Sequence, residues 1–89
     1  MKATVKATEY TIEIELSDGN QTETEYYKKF SHQQTAPLAK TYLDSQIGEI
    51  NTLFETDEDA AFEKIDECVG QIEYAANYEL TKAITIPMA

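Results

Sequence analysis

Between Tyr10 and Leu16 apolar side chains alternate strictly with polar ones, Tyr10, Ile12, Ile14 and Leu16 against Thr11, Glu13 and Glu15. A period of two belongs to a strand with one buried face and one in water, so the chain must build a sheet and find something to cover it. Ser17-Asp18-Gly19 follows, where Gly19 can take the left-handed conformation that closes a three-residue loop, and the run Thr22 to Phe30 is β-prone. This predicts a hairpin over about residues 3–31. Pairing Leu16 with Asn20 sets Ile14 opposite Thr22, Ile12 opposite Thr24 and Tyr10 opposite Tyr26. Tyr10 and Tyr26 then belong to the core, and Glu13, Glu15, Glu23 and Glu25 share the other face. Before Tyr10 the apolar phase moves to Ala3, Val5 and Ala7, which predicts a bulge near Thr8 or Glu9 if the strand runs back to residue 3.

After residue 35 the period changes. Thr35 can cap a helix with Pro37 in its first turn, and Ala39, Leu43, Ile47, Ile50 and Phe54 recur on one side, giving a helix over about 36–54. Thr56-Asp57-Glu58-Asp59 is a second start signal, a capping threonine followed by acids where the helix dipole favours them. Phe62, Ile65, Val69, Ile72 and Ala76 form the apolar stripe of this second helix, over about 57–76. Alternation returns at Tyr78, Leu80, Ile84 and Ile86 until Pro87, predicting a third strand over about 78–86. The expected fold is α+β, a single domain over residues 1–89 in the order ββααβ, with a two-helix hairpin on one face of a three-stranded antiparallel sheet.

Charge narrows the function. Seventeen carboxylates face seven lysines with no arginine, a net charge of −10. Residues 1–43 carry −1 and residues 44–89 carry −9. Such a chain is repelled by polyanions and lacks the side chain best suited to phosphate, so direct nucleic-acid binding and docking on anionic membranes are disfavoured. An apolar fraction of 42% separates it from disordered acidic chains. No secretory apolar region and no membrane-spanning run is present, so a cytoplasmic location is expected.

The chemistry-bearing residues are sparse. Cys68 is the only cysteine, which leaves no internal disulfide, and it falls at the margin of the second helix's stripe as a half-buried hydrophobe. His32 is the only histidine, and no spacing places it with Ser31 or Cys68 for nucleophilic catalysis. Asp57-Glu58-Asp59 lacks the alternate-position ligands, central glycine and distal glutamate of a calcium loop, so helix-initiating acids explain it better. No catalytic, metal or cofactor site is expected. Of the six tyrosines, Tyr27 is placed on the face opposite the core and reads as interface-like.

One pattern exceeds background. Asp59, Glu63, Asp66 and Glu73 follow at i, i+4, i+7 and i+14 with Gly70 between the last two, a row of carboxylates roughly 20 Å long on one side of the second helix. Like charges at these spacings destabilise a helix slightly, so stability does not account for the row. The candidate contact residues are Asp57, Glu58, Asp59, Glu63, Asp66, Glu67 and Glu73, facing a protein partner with a basic surface. The plainer reading is a solvated acidic face. In composition only, the chain is similar to small phage and mobile-element proteins that inhibit host nucleases or CRISPR complexes by presenting DNA-like charge, a likeness that implies an inhibitor and covers no aligned residues. The alternative is an assembly module that pairs through an exposed sheet edge or apolar face near Tyr27. An enzyme would need two of these acids in a shielded cleft.

Overall fold

A computed structural model describes residues 1–82, with side chains as far as Ala76. Its elements are β1 (Lys2–Ala7), β2 (Thr11–Ser17), β3 (Thr22–Lys29), α1 (Thr35–Thr56) and α2 (Glu58–Lys82). The class is α+β with a three-stranded antiparallel sheet and two helices, in the order βββαα rather than ββααβ. The third strand is β1, paired with β2 so that Ala3, Val5 and Ala7 lie opposite Leu16, Ile14 and Ile12. The change of apolar phase before Tyr10 therefore marks a turn between two strands and not a bulge within one. Thr8 builds that turn: its N–H donates to the Thr11 carbonyl at 3.0 Å and its Oγ1 accepts the Thr11 N–H at 3.1 Å.

The predicted strand at 78–86 is not found where it can be checked. Tyr78 to Lys82 continue α2, and residues 83–86 lie outside the described part. Glu79, Leu80 and Lys82 are good helix formers and no glycine or proline intervenes between Ala76 and Lys82, so the helix continues through Lys82 once Ile72, Ala75 and Ala76 are packed. The helices otherwise fall close to the expected ranges. Thr35 is the first helical residue and does not cap; Gln34 holds the cap position without a side-chain bond.

The hairpin register also differs. Ser17 pairs with Thr22 and Leu16 with Glu23, so the loop has four residues, 18–21, and not three. Asp18 organises it, its Oδ1 accepting the N–H groups of Asn20 and Gln21 at 2.8 Å each, while Gly19 takes φ +96°. Glu15 then pairs with Thr24 and Ile14 with Tyr26, leaving Glu25 as the extra residue of a bulge. The bulge turns Tyr26 to the covered face. Tyr10, expected in the core, sits in the β1–β2 turn and is 40% exposed.

Both helices cover the same face. β2 is central and supplies Ile12, Ile14 and Leu16 to the core, with α1 resting on β1 and β2 and α2 packed against α1. Leu43, Ile50 and Phe54 of α1 and Ile65, Cys68 and Ile72 of α2 fill the interior. Fully burying one such aliphatic side chain contributes roughly 1.5–3 kcal/mol. Relative to the expected stripe, α2 is rotated toward Cys68, which is fully buried, and leaves Phe62 and Val69 half-buried on its β3 side.

Candidate functional site

The acidic residues of α2 do different jobs. Asp57 is the single residue between the helices: its N–H donates to the Leu53 carbonyl at 2.6 Å and closes α1, while its Oδ1 accepts the Ala60 N–H at 3.2 Å and opens α2. The cap is thus Asp57 and not Thr56, whose hydroxyl turns back to the Thr52 carbonyl at 3.4 Å. Glu67 stands 4.0 Å from Lys64, which reaches across to Glu49 of α1 at 3.1 Å. Glu73 accepts the Tyr26 hydroxyl at 2.6 Å and lies 3.4 Å from the Lys28 ammonium, tying α2 to β3. The Tyr26 bond holds the Glu73 acid below its ordinary range against the opposing effect of burial, with Lys28 adding to the lowering.

Glu58, Asp59, Glu63 and Asp66 remain. All four are exposed, and their side chains make no hydrogen bond or ion pair with another described residue. On the helical wheel Asp59, Glu63 and Asp66 flank Phe62 and Glu73, the side turned toward β3. There they are joined by acids the sequence had set elsewhere. Glu23 lies opposite Leu16 and so on the helix side of the sheet, and with Glu25 of the bulge it lines a cleft against Phe62. Glu13 and Glu15 stay on the open face, where Lys6 meets Glu15 at 3.0 Å and the Thr24 hydroxyl donates to Glu13 at 2.7 Å. The hairpin quartet is therefore divided, two carboxylates extending the acidic side of α2 and two balanced by neighbours behind it. The division follows from the four-residue loop, which sets Leu16 opposite Glu23 in place of the pairing expected from a three-residue loop.

The remaining candidates are not brought into catalytic arrangements. Cys68 lies in the helix interface, with Tyr42 beside it. Burial pushes the thiol above its ordinary value and the Tyr42 phenol up to about 12, so both stay protonated near neutrality. His32 is exposed in the β3–α1 connection, its carbonyl accepting the Thr35 N–H at 3.2 Å. Among the described residues no group of three or more His, Cys, Asp or Glu is gathered to hold a metal ion, and no helix is long and apolar enough to cross a membrane. Tyr27 projects from the open face at 57% exposure.

One further polar residue escaped the sequence reading. Asn51 of α1 accepts the Ala3 N–H at 2.7 Å and returns its own amide hydrogen to the Ala3 carbonyl at 3.1 Å, taking the place of a neighbouring strand on the free side of β1. Its one signal was position, a polar residue next to Ile50 and three before Phe54 on the helix side that faces the sheet. No protein-family model, no curated protein and no solved structure matches this chain. The residues and their geometry are what a functional reading has to work from.

Proposed function

We propose that the protein is a non-enzymatic binding protein that docks the β3 side of α2 onto a basic surface of a partner and blocks nucleic acid there, in the manner of a phage-type inhibitor that imitates DNA charge. The observation that carries this reading is the four-acid set Glu58, Asp59, Glu63 and Asp66, exposed and with side chains unpaired among the described residues, although the neighbouring acids Asp57, Glu67 and Glu73 each have an internal partner. Glu58 and Asp59 lie in the first turn of α2, where the helix dipole favours acids, but the like-charge pairs Asp59–Glu63 and Glu63–Asp66 cost stability, which a cationic partner surface would offset. A cytoplasmic setting goes with the reading, since proteins that handle nucleic acid are met there and Cys68 is a free thiol.

Assembly through a sheet edge is less well supported. Asn51 occupies the backbone groups of Ala3 on the β1 edge, and the bulge at Glu25 interrupts the β3 edge; both are devices that discourage strand addition. The experiment is neutralisation of Glu58, Asp59, Glu63 and Asp66 together to Gln or Asn. Capture of a basic nucleic-acid-binding protein from host-type lysate is expected to be lost, with the fold intact by circular dichroism. Undiminished capture by the neutralised variant refutes the reading.

A further inference from the structure

We infer that the cleft between the start of β3 and the first turns of α2 receives an arginine side chain of the partner protein, an inference that rests on the docking reading above. The floor is apolar, made by Leu16 of β2, Phe62 of α2 and Met1, and the rim is acidic, made by Asp18, Glu23 and Glu25 with Gln21 between them. At about 180 Å³ the cleft is smaller than the roughly 300–1,000 Å³ of small-molecule sites, which suits one long side chain.

The rim carries three carboxylates and no described lysine lines the cleft; the Met1 ammonium acts on Asp18, leaving Glu23 and Glu25 without an ion-pair partner among the described residues. Asp18 cannot swing away, because the N–H groups of Asn20 and Gln21 fix its carboxylate. The nearest described lysine of β3, Lys28, is engaged farther along with Glu73. Phe62 is held edge to face against Phe54, centroids 5.3 Å apart at 89°, so an aromatic ring stands fixed beside the acids. An apolar floor with an anionic rim fits a side chain with an apolar stem and a cationic end. Arginine fits better than lysine because its planar, weakly hydrated fork can stack on a ring and bridge two carboxylates. The chain contains no arginine, so a second copy cannot be the source.

The test is titration of the protein with a nonapeptide of arginine and, at equal ionic strength, a nonapeptide of lysine, followed by NMR shifts at Phe62 and by calorimetry. The arginine peptide is expected to bind roughly three- to fivefold tighter and to shift Phe62. Glu23→Gln with Glu25→Gln removes that preference, as does Phe62→Leu, which keeps an apolar floor and the fold. Glu63→Gln with Asp66→Asn weakens both peptides alike. Equal affinities with an unmoved Phe62 overturn the arginine cleft and leave the docking of α2 standing. Failure of both peptides to bind overturns the two readings together.

Discussion

The Tyr26 hydroxyl donates to Glu73 across 2.6 Å, and the same carboxylate oxygen faces Lys28 at 3.4 Å, so one acid of α2 joins two residues of the sheet's outer strand. The bulge at Glu25 makes this possible by turning Tyr26 to the helix side. Burial first, and then the Glu73 carboxylate, raises the Tyr26 phenol well above its ordinary value, which keeps it a donor. Tyr26→Phe is expected to destabilise the protein by about 1–2 kcal/mol, as measured by urea unfolding. Glu73→Gln costs less, because an amide oxygen still accepts the hydroxyl.

The same contact sets a pH dependence. Glu73 is held below its ordinary value when folded, so its stabilisation is fully present above the unfolded carboxylate range and is lost as pH falls through the lowered folded value. Melting temperatures of the wild type and Glu73→Gln should therefore differ at pH 7 and converge as the pH falls below the lowered folded value of Glu73. The half-exposed carboxylate keeps the difference small. A gap that widens on acidification contradicts the assignment.

Asn51→Ala removes both bonds to Ala3 and leaves backbone groups on the β1 edge without a partner. A loss of about 1–3 kcal/mol is expected in urea unfolding. Faster hydrogen exchange at the Ala3 amide and self-association at high concentration should accompany it, because a guarded edge has been opened.

Asp57 separates structure from docking. Asp57→Ala loses the cap of α2 and about 1 kcal/mol of stability, whereas Asp57→Asn retains an accepting oxygen and stays near wild type in thermal melts. Partner capture is expected to survive Asp57→Asn. Its loss on that change would make Asp57 a contact residue as well as a cap.

What the sequence made legible followed from period and turn chemistry. The alternation from Ile12 to Leu16 located the central strand, and the spacing of Leu43, Ile50, Ile65 and Ile72 located both helices. The order failed at the ends. Ala3, Val5 and Ala7 were apolar in the wrong phase for one continuous strand, and only the Thr8 turn makes them a separate one. Tyr78 and Leu80 fit a strand pattern as well as a helix, and the packed turn before them decided for the helix. At the acidic face, spacing placed the row on α2 but could not tell which members were already engaged. Glu73 is used by Tyr26 and Asp57 by Ala60, contacts that depend on the bulge and on a one-residue link between helices.

The central claim is that Glu58, Asp59, Glu63 and Asp66 serve a partner, beyond the dipole interaction that Glu58 and Asp59 make at the start of α2. The most direct measurement compares the wild type with the variant in which all four are neutralised, each tagged, used to capture host-type lysate proteins, and washed at low and then high salt or with competing DNA. The account predicts that the wild type retains a basic nucleic-acid-binding protein that both salt and DNA release, and that the variant, folded and of similar melting temperature, retains none. Equal retention by the two proteins, or a partner that resists salt, would contradict it.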